Sequence, residues 1–408
     1  MPRLALGFVL VLVSPPLALA QPVSTHAREA VQTIRELRAI GLPDPDDLAN
    51  GPPAKVPGLL RRLNQALKQL VIETLNDGAR RGAPSEEEIT EQLRTAGWDE
   101  VPDHKWNAYG EIVAIKFDWK IGYEPGILIV TTQLWIPCGS SDPDTAVYVF
   151  QGRARQWALV LAADADFDRL QVSQQSGLQS EISPPDDHGK WFLAVAHAPP
   201  SCRRSASELH YKLLRPGHSP DEPVTILDRR DLVDPRFEPP FALRVEEDWF
   251  ALTRGKHRKL DGEWGISIAR YEVNDLQVQR THPLALSPED FLDEWVQLTW
   301  VDASRWAREP KSLSLQHWHS VLNALESDST EIRVVQRCPV QDGSGDSWLI
   351  ELWIDRQMNP AVKEEYLYIQ VSKEVGIYNV DGIQTTRTAG CPGNTPPPKL
   401  ADWSLPTW

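Results

Sequence analysis

The sequence predicts an α+β protein dominated by antiparallel β structure. Three observations predict it. Apolar residues recur at helical spacing between 24 and 97. From 98 to 283 the period drops to two, with turn residues at roughly 8–20-residue intervals. From 284 a helical pattern returns and then gives way to further alternating runs. The expected organisation is a signal peptide (1–20), a helical segment (21–97), an antiparallel β domain (98–283), an α+β domain (284–390) and a proline-rich tail (391–408).

The first element carries Arg3, an apolar run from Leu4 to Val13, two prolines and the small-residue pattern Ala18-Leu19-Ala20. That is the three-part pattern of a secretory signal, cleaved after Ala20. Ten apolar residues are too few to cross a bilayer core, which needs about 20 in a helix. Gln21 follows the cut, not a cysteine that would take a lipid. The expected location is secreted or periplasmic, with no transmembrane segment after cleavage. Losing Arg3 takes the net charge from −15 to −16. Nucleic acid binding requires a basic face to neutralise phosphates, and on a net acidic chain nucleic acid is not an expected partner.

In the helical segment, Ala27, Ala30, Val31, Ile34 and Leu37 share one face, and Gly41 ends that helix. Leu59, Leu60, Leu63, Ala66, Leu67, Leu70 and Val71 mark a second. Ser85 with Glu88 three residues on forms a capping box for a third.

In the β domain, 127–136 is apolar through most of its length, as a strand buried on both faces requires. Further strands are expected at 145–150, 156–162, 190–198, 207–215, 223–228, 241–254, 264–273 and 276–281. A sandwich or barrel fits this series. A propeller-like arrangement is the weaker alternative. The segments 156–162, 190–196 and 248–254 share a polar-Trp-apolar start, but their spacing is uneven.

At 286–295, Ser287 caps a helix, Pro288 opens it, acids suit its first turn and Phe291, Leu292, Trp295 and Val296 form its apolar face. A second helix carries Trp318, Val321, Leu322 and Leu325, and a four-stranded meander follows.

Four cysteines follow the cleavage point. In an oxidising compartment they suggest two disulfides, with Cys138–Cys202 and Cys338–Cys391 the economical pairing. No CxxC spacing exists, which argues against zinc.

Asp164, Asp166 and Asp168 fill the first three ligand positions of a calcium loop. Arg169 stands where the loop needs glycine and Gln175 where it needs glutamate, so an acidic bend is the better reading. His317 and His319 lie two apart on a helix and point apart, so they cannot clasp one ion. His197 shares a strand face with Trp191, Leu193 and Val195, where a hydrogen-bonded core histidine is expected. Asp186, Asp187 and His188 sit in a turn and are expected at the surface.

Two groups are candidate binding residues. Arg254, Lys256, Arg258 and Lys259 form the one dense basic cluster, suited to an anionic partner, although an exposed hairpin tip is the preferred reading. Trp353 shares a strand face with Glu351 and Asp355, which suits stacking on sugar rings and, preferably, burial under the tail. Trp119, Trp157, Trp191, Trp264 and Trp348 are expected in the core.

No catalytic motif, cofactor loop or metal-ligand set can be read from the chain. The expected function is a non-enzymatic binding or envelope-associated protein, its partner an envelope glycan or protein. A glycan-acting hydrolase with unrecognised carboxylates is one alternative. A structural or assembly protein that docks through the helical segment is another.

Overall fold

A computed structural model describes residues 23–41, 52–77, 85–99, 108–136, 144–153, 156–164, 177–198, 207–233, 241–258, 260, 264–281, 283–324, 330–340, 347–356 and 365–386. The predicted signal, Asp166, Asp168, Lys259, Cys138, Cys202 and Cys391 lie outside the described residues.

Three helices open the chain: α1 (Thr25–Ile40), α2 (Val56–Leu75) and α3 (Glu86–Thr95). Ser24 caps α1 by accepting the His26 and Ala27 amides. Glu88 accepts the Ser85 amide at 3.3 Å, one half of the expected capping box.

Four antiparallel meanders follow, each of four strands in sequence order. The first is β1 (Glu111–Lys120), β2 (Ile127–Trp135), β3 (Asp144–Arg153) and β4 (Gln156–Asp164). The second is β5 (Gly177–Ile182), β6 (Leu193–Ala198), β7 (Ser207–Ser219) and β8 (Glu222–Val233). The third is β9 (Phe241–Val245), β10 (Trp249–His257), β11 (Trp264–Asn274) and β12 (Gln277–Arg280), with the short β13 (Leu284–Ala285) added on β11. Next come α4 (Pro288–Gln297), α5 (Trp300–Ala303), a 3-10 turn (Ser304–Trp306) and α6 (Leu313–Ala324). The fourth meander is β14 (Thr330–Pro339), β15 (Ser347–Arg356), β16 (Glu365–Glu374) and β17 (Ile377–Gln384).

A single residue pair, Asp144 with Leu178, joins the first two meanders into one sheet. There the sheet doubles back on itself. Ile127, Ile129, Val147 and Val149 of the first half meet Leu178, Leu193, Val195 and Leu214 of the second. The opposite face of the first half, with Leu128, Val130, Tyr148 and Phe150, receives α1–α3. This is why the run at 127–136 has no polar face: β2 is buried on both sides, by sheet and by helix. Phe192, Ala194 and Tyr211 turn the other way, onto Phe250, Leu252 and Tyr271 of the third meander, and make a sandwich.

The layers thus run helices, first meander, second meander, third meander, helices, fourth meander. No closed barrel forms among the described residues. The apolar faces of α1–α3 are occupied within the chain. The run at 241–254 divides into β9 and β10, and β5 is a strand that the alternation did not predict.

Helix α4 is buried all round. Phe291, Leu292, Trp295 and Val296 pack with Ile350, Leu352 and Ile369 of the fourth meander. Its acids lie on the opposite side, against the third meander.

Candidate functional site

A cleft of about 540 Å³ opens where the first three meanders meet. Leu159 and Val160 of β4 and Trp191 supply apolar lining. One wall is the end of β7 and the turn after it, from Arg215 to Pro220. The others are the turn before β6, with Gly189 and Lys190, and the β11–β12 turn, with Asp275 and Leu276.

Local chemistry sets each wall. Asp186 accepts the His188 and Lys190 amides at 2.9 and 2.8 Å, which folds the turn that delivers Lys190 and Trp191. Although burial works against its charge, those amides hold the Asp186 carboxyl below its ordinary range. Gly189 stands at φ 72°, where a side chain is disfavoured. At Gly217 any Cβ would strike the Glu222 carbonyl oxygen across the hairpin. Asp275 turns the β11–β12 hairpin at φ 51°, which Asp tolerates better than most residues. The β7–β8 turn is pinned from behind: the Ala162 amide donates to Pro220 at 2.8 Å, and Lys68 of α2 reaches Asp221 at 2.7 Å.

Charge in the cleft is unbalanced. Lys190 and Arg215 both face Asp275, at 2.8 and 3.4 Å. The Lys190 hydrogen bond, then its charge, holds the Asp275 carboxyl below its usual range. Arg215 is the more enclosed member, and its Nε is buried with no hydrogen-bond partner among the described residues. Among the described residues lining the cleft, two cations stand against one carboxylate beside an apolar surface, with Asp186 also acting on Arg215 from outside the lining, which is the chemistry of an anion-binding pocket.

The described residues of the basic cluster, Arg254, Lys256 and Arg258, do not form an open patch. β10 runs on to His257, paired throughout with β11. Arg254 and Lys256 are only 9 % and 7 % exposed. Arg254 pairs with Asp231 at 3.1 Å, and Arg258 with Asp290 at 3.5 Å. Lys256 pairs with Asp293, and Arg280 with Glu294. Tyr211 extends this seam, donating to Asp231 at 3.1 Å and bonding Tyr271 at 2.8 Å. Burial pulls the Lys256 pKa down against the attraction of Asp293. Burial likewise pushes the Asp290 carboxyl up to about 6, more than Arg258 can offset. Each of these α4 acids faces a cation and is shut from solvent, so the seam joins two layers and offers a substrate no access. The acids of α4 read in the sequence as dipole partners; here they are buried counter-charges.

Glu351 is buried, and the Tyr368 hydroxyl donates to it at 3.4 Å. Trp353 is half-buried on the same face of β15, between Arg333 of β14 and Tyr366 of β16 in register. Asp355 and Cys338 are placed by their backbones alone. Asp164 closes β4. His317 is exposed and His319 buried, so the two histidines do point apart. His319 lies edge-on to Trp295 at 4.7 Å, and its Nε2 is 3.2 Å from the Trp295 carbonyl oxygen.

His197 departs from expectation. Its Nδ1 is buried with no hydrogen-bond partner among the described residues. Burial, then His210 and Lys212, drive its pKa down to about 3. His210 in turn meets Asp228 at 2.6 Å. This group sits five residues along β7 from Arg215, about 17 Å at 3.4 Å per residue, and takes no part in the cleft. Of the predicted core tryptophans, Trp191 is buried, Trp157 and Trp348 are half-buried, and Trp119 is exposed with its ring edge-to-face on Trp157 at 5.2 Å. The Trp264 side chain lies outside the described ones.

Sequence reasoning named the turn at 186–188 and Trp191 but not Lys190, Arg215 or Asp275 as site residues. The glycine and proline content of 215–220 marks a tight hairpin; nothing in it marks a site.

No family model matches the chain, and no curated protein matches it. Two solved structures are weakly similar. One is an α-L-arabinofuranosidase from Fusarium graminearum with an iminosugar inhibitor, 9 % identical, covering 67 % of this chain and 71 % of its own, with a TM-score of 0.25. The other is a thermostable family-43 glycoside hydrolase, 10 % identical, covering 70 % of this chain and 80 % of its own, with a TM-score of 0.23. At these scores the likeness carries no argument about fold or activity.

Proposed function

We propose that this is an exported binding protein that takes a small acidic ligand, an acidic saccharide above all, in the cleft between the first three meanders. The observation that carries this reading is the pairing of Lys190 and half-buried Arg215 against a single lining carboxylate, Asp275, beside Leu159, Val160 and Trp191. A ligand carboxylate can replace Asp275 on the guanidinium, while the sugar body lies on the apolar lining. The hydrolase alternative needs two carboxylates roughly 5–10 Å apart across a glycosidic bond. Among the described residues lining the cleft, Asp275 is the one acid.

Calorimetric titration of the full chain with oligogalacturonates and with uncharged oligosaccharides of equal length tests the proposal. Acidic sugars should bind, with affinity falling as salt rises. Arg215→Met should weaken that binding by about tenfold or more, the scale of one charge-assisted hydrogen bond. Equal binding of charged and uncharged sugars, or an Arg215→Met variant that binds as well as the parent, would overturn it.

A further inference from the structure

Two tryptophans stand on the helix-side face of the first meander, where α2 ends. Trp119 of β1 is in register with Leu128, and Trp157 of β4 with Gly152. Leu128 and its β3 neighbour Phe150 face α1–α3, so both rings rise from that side of the sheet. Asn76, just past α2, grips the Trp157 backbone as a neighbouring strand would. Its Nδ2 donates to the Trp157 carbonyl at 3.0 Å, and its Oδ1 accepts the Trp157 amide at 2.9 Å. The six-membered ring of Trp157 then reaches over Gly152 and Gly126, 3.5 and 3.9 Å from where a Cβ on each would stand. It meets Trp119 edge to face, with 72° between the planes. Trp119 is thereby fixed in orientation and yet 39 % exposed. A ring already held in place gives up little conformational freedom when a ligand stacks on it.

We propose that Trp119 and Trp157 form a stacking shelf for a further ring of the saccharide held in the cleft, which makes the ligand an extended oligosaccharide and not a single sugar acid. This rests on the saccharide reading of the cleft. The placement favours it. Trp119, Leu128, Phe150 and Leu159 form one cross-strand row, and Leu159 lines the cleft. The row covers three strand spacings, about 14 Å at 4.8 Å each. One pyranose cannot span that distance; a short chain of them can. Trp157 stands between the two ends, two residues along β4 from Leu159. Gln151, which also lines the cleft, is the chain neighbour of the Gly152 that lies under the Trp157 ring.

The chemistry of the shelf names the kind of ring. A pyranose presents C–H bonds on its faces and hydroxyls around its rim. An indole matches that with a flat apolar face and a polar edge. The cation next to Trp119 in the chain, Lys120, is already matched by Asp118 at 2.6 Å. The shelf therefore suits an uncharged ring, whereas the cleft suits a carboxylate. A glycan in which acidic and neutral units alternate fits both ends of the path.

Calorimetric titration of the full chain with hyaluronan oligosaccharides, in which glucuronate alternates with N-acetylglucosamine, tests this from disaccharide to octasaccharide. Affinity should rise by about three- to tenfold once the chain is long enough to reach the shelf, the scale of one ring-on-ring contact. Trp119→Leu should abolish that rise and leave the disaccharide bound as in the parent, which also shows that the variant folds. Should it fail to fold, hydroxyl-radical footprinting of the parent gives the second reading: Trp119 protected by the octasaccharide and not by the disaccharide. Affinity independent of length, a rise that survives Trp119→Leu, or Trp119 labelling unchanged by the octasaccharide would overturn the shelf and leave the cleft standing. Absence of binding at every length would overturn both. A dimer in sedimentation that Trp119→Leu disperses would make a second copy of the chain the occupant, and would overturn the shelf as well.

Discussion

Val375 is a β-branched residue at φ 50°, fully exposed, in the two-residue turn between β16 and β17. Gly376 beside it stands at φ 81°. Two positive φ values in a two-residue hairpin define a turn that favours Asn-Gly. A valine in the left-handed region costs roughly 1–2 kcal/mol. Val375→Asn should therefore stabilise the protein by about 1 kcal/mol, read as a higher urea midpoint at unchanged slope. An unchanged or lower midpoint would show that the turn carries no strain. Single side chains were also where the sequence was least informative. His319 occupies a buried position on α6 between Leu315 and Leu322, and a polar residue there breaks the apolar pattern that would have revealed the face. Arg215 is part of the cleft only because the hairpin carrying it is folded against β4.

At the scale of elements, α4 shows how a helix can be buried on both sides. Its apolar stripe was legible because four hydrophobes fall at helical spacing. Its charged stripe was not, because the matching cations sit on β10, just beyond it and on β12, up to 37 residues away in the chain. Asp293 is wholly buried beside Lys256. Lys256→Met should cost about 3–5 kcal/mol, since it leaves a carboxylate buried without its cation. Lys256→Met with Asp293→Leu should recover much of that loss, because the uncompensated charge goes too. Chemical denaturation of the two variants separates the outcomes. Equal losses would mean that packing, not charge, sets the cost.

The meanders were also partly legible. The polar-Trp-apolar start of 190–192 and 248–250 marks the beginning of the second strand in the second and third meanders, and Ser347-Trp348-Leu349 opens the second strand of the fourth. The spacing looked uneven because 156–162 is a fourth strand that shares only the look of the motif, and the copy at 347–349 follows only after α4–α6.

For the whole molecule, pH is the natural probe of the seam. Asp290 has a folded pKa of about 6, above its unfolded value near 3.9. Between about pH 4 and 6 the folded chain keeps a proton that the unfolded chain releases. The contribution of this group to stability therefore declines as pH rises through that window, by about 3 kcal/mol for two units of displacement. Asp290→Asn should raise stability at pH 7.5 and raise it much less at pH 4.5, measured by urea unfolding at both. An equal effect at both values would mean that desolvation does not govern this carboxyl. The number and order of layers could not be read in advance: the sequence shows which runs are apolar on both faces, but not which neighbour fills each face. The cleft lies at the same limit, since its walls come from β4, two turns and a hairpin between residues 151 and 276.

The first three helices find their partners late. Their common core is completed by Ala146, Tyr148, Phe150 and Ala162, all far downstream of Leu75. A ribosome adding about 5–20 residues per second needs several seconds to supply them. Throughout that time a nascent chain carries three greasy helical stripes with only one another to lean on. The N-terminal quarter of this protein is thus its natural address for a holding chaperone.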